Sequence, residues 1–559
     1  QLCLKEGLTV FRDQEFSSDM RSRPVKRISD VRLLKSHQFP EDAGPLAHPV
    51  RPRKYTEINN FYTATVYEKG AEVVRMLKTL LGPDGFKKGM DLYFARHDGD
   101  ATTIEAFLAC FAEATGTNLD HFALWYEQAG TPKLEAHSVF DETSGSLTID
   151  FSQSIAPLPS QDTSKPAVLP IRFGLVGDDG NDMVPPEITG ATVKDDTLIL
   201  DQAKQTVIFK GLPSRPVPSL LRNFSAPVTL DAHLSLDDLE FLAMRDSDPF
   251  NRWQAMQTLA SQELIRMTGE AQKGATPTAD SALIKTFGTI LEDETLDPAF
   301  KALALQLPGE GDLSREIGTD VDPDAIHSAR ATLRRALAEA HLDTFRKLVD
   351  ARPTGAFSPD ATAAGQRAFA NQALYFISAT RSQEAAELVF NTFDQADNMS
   401  DQIAALTLLV HDDLDQAAAA LEAYRRKFEG VSLAMDKWFT VQATAPLNDG
   451  LERVQALTAH PLFDFTNPNR VRSLIHAFAT GNLTQFARSD GNGFEFVADN
   501  VLAIDARNAQ VASRLLTSFR SWRAFEAERS SLAKAALIRI STYEKLSRDS
   551  KDIVDRCLQ

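Results

Sequence analysis

The texture of this chain changes twice, at Lys133 and at Leu236, and those two changes constrain its fold more than any other feature. Residues 1 to 132 carry apolar residues at helical spacing. The opening stretch Leu4-Lys5-Glu6-Gly7-Leu8-Thr9-Val10-Phe11 puts Leu4, Leu8 and Phe11 at i, i+4, i+7, which predicts a helix. Residues 21 to 53 are basic and hold Pro24, Pro40, Pro45, Pro49 and Pro52, so this stretch is expected to be irregular and free of helices. A long helix is predicted from 59 to 81, where Gly82-Pro83 stops it, with shorter helices over 85–97, 103–115 and 119–128. From 133 to 235, β-rich runs at 146–152, 169–176, 197–201 and 205–210 alternate with turn clusters at 178–182 and 194–196. About seven short strands in about 100 residues point to an immunoglobulin-like β-sandwich. After Leu236 the pattern is helical to the end, in segments such as 249–269, 324–340, 362–379, 383–395, 400–411, 414–428, 434–443, 468–480, 508–519 and 524–546. Short polar turns join them, which fits an α-solenoid or curved helical bowl without a crisp repeat.

The 559 residues suffice for roughly three or four domains of ~150 residues. The net charge of −18 disfavours nucleic acid and anionic membranes, which demand a basic footprint. It suits cationic ligands such as free amino termini. Cys3, Cys110 and Cys557 are too scattered for a disulfide framework or a cysteine zinc site, which fits a reducing compartment. No apolar run approaches the ~20 residues that cross a bilayer. The chain opens on Gln1, inside a helical pattern with no N-cap before it, and so reads as a fragment of a longer protein.

Two stretches carry candidate chemistry. Glu6 has Leu2, Cys3, Thr9 and Val10 as its helical neighbours, none of them charged. An ionised carboxylate there costs free energy unless a cation or a hydrogen-bond donor meets it. A metal ion would satisfy it; the plain alternative is a partly exposed helix glutamate. The second stretch is Asn59-Asn60-Phe61-Tyr62-Thr63-Ala64-Thr65-Val66-Tyr67-Glu68-Lys69-Gly70. Tyr62 and Tyr67 are five apart and splay, whereas Thr63 and Tyr67 share a face. A tyrosine hydroxyl can donate to an oxyanion without losing its proton at neutral pH; the alternative is a pair of core tyrosines.

The run from Lys5 to Phe16 resembles the segment that holds the third zinc ligand in gluzincin metallopeptidases of the bacterial aminopeptidase N type. Asn59 to Gly70 resembles the catalytic tyrosine helix of that family. Trp125-Tyr126-Glu127-Gln128-Ala129-Gly130-Thr131-Pro132 resembles its junction between catalytic domain and β-sandwich. Asp436-Lys437-Trp438-Phe439 and Asn467-Pro468-Asn469-Arg470 resemble further segments of its helical part. The resemblance covers essentially the whole chain. It implies a multidomain, mainly α protein: the C-terminal part of a helical thermolysin-like catalytic domain over 1–132, an Ig-like β-sandwich over 133–235, and an ARM/HEAT-like α-solenoid over 236–559. It implies Glu6 as a zinc ligand and Tyr67 as the oxyanion stabiliser. Asn59 and Tyr62 would then lie near the substrate, and Arg472 and Arg514 would face an internal cavity that binds the far end of the peptide. The helical part would close a chamber that admits short peptides.

One departure is large. A gluzincin zinc site needs His-Glu-x-x-His, and no two of the eleven histidines here are four apart. The general-base glutamate of that motif is absent with it, as is the family's Gly-x-Met-Glu-Asn segment, which binds the substrate's free amine. The expected function of the intact protein is a zinc-dependent aminopeptidase that releases N-terminal residues from peptides. It would hold one Zn2+ whose two histidine ligands are not in this chain, and the chain alone would be inactive. The expected setting is a cytoplasmic monomer that binds peptides and neither nucleic acid nor membrane. The alternative function is a non-catalytic interaction module built from the sandwich and the solenoid.

Overall fold

The computed structural model describes residues 2–44, 46–53, 58–158, 161, 164–352 and 356–559, with the side chains of Ile58 and Asn59 outside that description. The chain forms two compact units, 1–256 and 257–559. Among the described residues no helix is long and apolar enough to cross a membrane.

The first unit opens with helix α1 (Leu2–Met20), which buries Leu4 and Phe11 as their spacing requires. Next come α2 (Arg23–Leu33), a π-turn over Leu34–Gln38, and α3 (Phe39–Ala43). The expectation of an irregular stretch from 21 to 53 is therefore wrong from Arg23 to Ala43. Pro24 and Pro40 each stand in the first turn of a helix, where the missing N–H has no intrahelical partner to lose. The expected helix from 59 is also corrected. Ile58–Phe61 is a separate 3₁₀ turn, a π-turn spans Thr65–Lys69, and α4 (Gly70–His97) follows, broken at Gly82 (φ 77°, ψ 166°). Helix α5 (Ile104–Thr115) is capped by the Thr103 side chain, whereas the predicted helix at 119–128 shrinks to α6 (Leu124–Glu127) after a turn. Phe11, Phe86, Phe107 and Phe111 form the aromatic core between α1, α4 and α5, with ring centroids 4.8 to 5.5 Å apart.

Nine strands follow among the described residues, two more than expected because three of them are only three residues long. They are β1 (Lys133–Asp141), β2 (Ser146–Ser154), β3 (Leu169–Val176), β4 (Glu187–Thr189), β5 (Thr192–Lys194), β6 (Thr197–Leu200), β7 (Lys204–Lys210), β8 (Val217–Leu220) and β9 (Thr229–Asp231). They make two sheets, ordered β4-β7-β2-β1-β9 and β5-β6-β3-β8. All pairings are antiparallel except β1 with β9. Phe173 meets Phe209 between the sheets (5.3 Å). The sandwich is fastened to the helices by Arg27 of α2. Its guanidinium holds Glu72 of α4 at 2.6 and 2.5 Å and donates to the carbonyls of Asn223 (3.1 Å) and Phe224 (2.9 Å). Both residues of that ion pair are 4% exposed, and the Arg27 charge holds the Glu72 carboxyl below the usual range against the opposing effect of burial.

The boundary between the units falls inside the helix Pro249–Gln272. The second unit continues as helices to Arg548–Leu558, including Pro323–Ala340, Ala361–Ser378, Gln383–Gln395 and Met399–His411. Its core includes the stacked pair Phe345 and Phe376 (4.9 Å) and Arg334, which lies 3.9 Å over the Tyr375 ring and pairs with Asp412 at 2.8 Å. His411 is half-buried and its Nε2–H donates to the Val441 carbonyl (3.0 Å), and desolvation lowers the pKa of the ring. The unfolded chain therefore binds a proton that the folded one refuses. Stability contributed by neutral His411 is full above about pH 6.5 and falls as pH drops below it, by up to about 1.4 kcal/mol per pH unit. His411→Gln keeps a donor near that position without the titration. Thermal unfolding between pH 7.5 and 5 should show a shallower acid loss in the variant than in the unaltered chain.

Candidate active site

Two glycines build the site. Gly7 of α1 lies against Gly70, the first residue of α4, and a Cβ on Gly7 would come within 2.7 Å of the Gly70 carbonyl carbon. Backbone meets backbone there, with no side chain between. Glu6 precedes one glycine and Tyr67 stands one turn before the other, so the contact brings them together. Two turns farther along α1, Glu15 takes Arg75 (2.7 Å) and Lys78 (2.5 Å) of α4 and holds the two helices in register.

The Glu6 side chain is only 13% exposed. Lys5 donates to its carboxylate, and that contact raises the pKa of the Lys5 ammonium. The helical neighbours of Glu6 are uncharged, as expected, but the residue just before it supplies a cation. The Tyr67 phenol pKa is raised, by desolvation first and then by the charge of Glu6 and a hydrogen bond to it. Tyr67 therefore keeps its proton at neutral pH and acts as a donor. Tyr62 is half exposed, its ring centroid 6.4 Å from that of Tyr67 with the planes 41° apart. The expectation that these two rings splay rested on one continuous helix. Tyr62 precedes the helix, so its ring turns back beside Tyr67.

Tyr67 sits in the π-turn Thr65–Lys69, where the Thr63 carbonyl accepts from the amides of both Val66 and Tyr67 (3.1 Å each). Such turns add a residue to a helix and re-aim its side chains. Two residues on, Lys69 is buried and reaches the opposite way, to Asp42 (2.7 Å) and the Gly130 carbonyl (2.9 Å). Asp42 also accepts from the Thr131 hydroxyl (3.0 Å). Between them, burial and the charges of Asp30 and Glu72 push the Glu68 carboxyl up to about 7. Glu68 and Lys69 lie inside the 59–70 run but drew no role from it, and Asp42 lies outside every motif; only a charged residue inside an apolar helical pattern hinted at a buried partner.

The structure thus joins Glu6, Tyr67 and Tyr62. The Asn59 side chain lies outside the described residues. Arg472 and Arg514 belong to the second unit and both are exposed. Arg472 opens a π-turn (Arg472–His476), donates to Asn469 (3.3 Å) and lines a cleft of about 450 Å³ with Asp436, Thr440, Ser473 and His476. Arg514 is on the helix Ala509–Leu516. Among the described residues no group of three or more His, Cys, Asp or Glu side chains converges to hold a metal ion. Glu6 by itself does not make a catalytic zinc site, which takes three protein ligands and a water.

Comparison with known proteins matches residues 1–126 to the Peptidase family M1 domain. Residues 130–233 match a domain of unknown function with an Ig-like fold, DUF3458, and residues 236–559 match its companion of ARM repeats, DUF3458_C. Aminopeptidase N of Caulobacter vibrioides is 45% identical over the whole chain, and that of Escherichia coli K12 is 39% identical. The chain spans 63% and 64% of the lengths of those two relatives. The crystal structure of Legionella pneumophila aminopeptidase A in complex with aspartic acid superposes with a TM-score of 0.87 at 26% identity, covering all of this chain and 62% of that one. With three domain models matched in order and the whole of this chain aligned to part of these relatives, the chain belongs to the bacterial aminopeptidase N type of peptidase family M1.

Proposed function

We propose that the protein is a zinc-dependent aminopeptidase that releases N-terminal amino acids from peptides, and that Glu6 and Tyr67 serve its active centre. The supporting observation is their juxtaposition across the Gly7–Gly70 contact. Glu6 offers one carboxylate to the metal, and the remaining ligands come from residues outside this chain. Tyr67 donates its hydroxyl hydrogen bond to the oxyanion that forms as the scissile carbonyl is attacked, and that bond strengthens as charge develops. Tyr62, half exposed beside it, and Asn59 bound the substrate's path, and Arg472 and Arg514 offer cationic contacts to the far end of a peptide. The working divisions are 1–132, 133–235 and 236–559, in a cytoplasmic monomer. A net charge of −18 favours peptides with free amino termini over nucleic acid or anionic membranes. Nothing in the geometry favours the non-catalytic module.

Calorimetric zinc titration tests the metal assignment. The 559-residue chain is expected to bind zinc no tighter than micromolar. The same protein carrying its upstream sequence should hold one zinc per chain and hydrolyse aminoacyl-p-nitroanilides, with Glu6→Ala stripping most of the metal. Sub-micromolar binding by the chain alone, or full zinc occupancy in the longer Glu6→Ala protein, would overturn it.

A further inference from the structure

Tyr67 is aimed by groups that precede it by some twenty residues. The first amides of any helix lack intrahelical acceptors. Here the Thr65 amide donates to Glu41 Oε1 (2.8 Å), and the Thr65 hydroxyl donates to the same oxygen (2.6 Å). Gln38 Nε2 donates to that hydroxyl (3.3 Å), and Gln38 and Thr65 are fully buried. A second clamp sits one turn before Tyr67. His48 Nδ1 lies 2.8 Å from the Pro49 carbonyl, which can only accept, so Nδ1 carries the hydrogen in the neutral ring. His48 Nε2 is then an acceptor and takes the hydroxyl hydrogen of Thr63 (3.0 Å). That leaves a lone pair on the Thr63 hydroxyl for the Val66 amide (3.3 Å). The His48 and Phe61 rings meet in a T-shape (5.5 Å), and Nε2 stands 4.0 Å from Glu41 Oε1, so the two clamps touch.

We propose that Glu41 and His48 are positioning residues for Tyr67: they fix the residues two and four before it, so that the phenol points at the Glu6 carboxylate. Neither touches the reacting atoms. This rests on the reading of Tyr67 as the oxyanion donor, and the test separates the two ideas. With 3-fluorotyrosine in place of the eight tyrosines, the Tyr67 resonance can be assigned by its loss in Tyr67→Phe. In the 559-residue chain, His48→Ala and Glu41→Ala, which removes the oxygen that accepts from Thr65, should shift that resonance with the thermal unfolding midpoint little changed. His48→Gln, which can donate to Pro49 and accept from Thr63, should restore it. Thr63→Val removes only the clamped hydroxyl and should act like His48→Ala; it keeps the test alive should the alanine variant fold poorly. In the protein with its upstream sequence, His48→Ala should lower kcat by up to about 10²-fold with KM within about twofold, the scale of a misplaced catalytic group. An unmoved Tyr67 resonance in folded His48→Ala, Thr63→Val and Glu41→Ala chains overturns the proposal. So does equal impairment by His48→Ala and His48→Gln. A moved resonance with unchanged kcat upholds the positioning and overturns the role of Tyr67.

Discussion

Tyr67→Phe, in the protein carrying its upstream sequence, is expected to lower kcat by about 10²–10³-fold, the effect of removing one preorganised oxyanion donor. KM should change little, because the bond forms fully only when charge develops on the substrate oxygen. The substitution deletes a single oxygen and keeps the ring that packs 6.4 Å from Tyr62. Glu6 loses a donor but keeps Lys5. Steady-state kinetics on a dipeptide or p-nitroanilide series would read the effect, with circular dichroism as the control for folding. A loss under tenfold in a folded variant would remove Tyr67 from the reaction. A rise in KM with unchanged kcat would make it a binding residue instead.

Asp42→Ala is expected to destabilise the first unit by about 3–5 kcal/mol, the cost of stranding one partner of a buried ion pair. Lys69 and Asp42 are 1% and 0% exposed. Without the carboxylate, the Lys69 ammonium would keep, among the described residues, only the Gly130 carbonyl as an acceptor. Replacing both, as Lys69→Met with Asp42→Leu, removes the charge along with its partner and should recover most of the loss. The indole of Trp125, whose ring centroid is 6.0 Å from Lys69 Nζ, is a local fluorescence reporter for urea unfolding. Additive losses in the double variant would mean that the pair is not a unit. Lys69 shares the π-turn with Tyr67, so Asp42→Ala should also lower turnover in the longer protein before it unfolds the chain.

Much of the architecture could be read from local pattern. The strand β3 and the helix Gln383–Gln395 fall where a β-rich run between turn clusters and 3.6-residue periodicity placed them. Each is bounded by its own turn or capping residues, as Ser382 caps the second. The helices between 21 and 53 are invisible to a rule that makes proline a breaker regardless of position; in the first turn it is neutral. The tilt of Tyr62 toward Tyr67 was hidden because spacing rules hold only inside a continuous helix.

The division is sharpest at the site. Residue types and their resemblance to a family singled out Glu6 and Tyr67, and helical spacing placed Glu6 among uncharged neighbours. Spacing reaches four residues along a chain and no farther. The approach of Gly7 to Gly70 and the reach of Lys69 to Asp42 were decided by tertiary packing. Residues some sixty positions apart meet only where two helix backbones can touch, and a glycine on each side is what allows that contact.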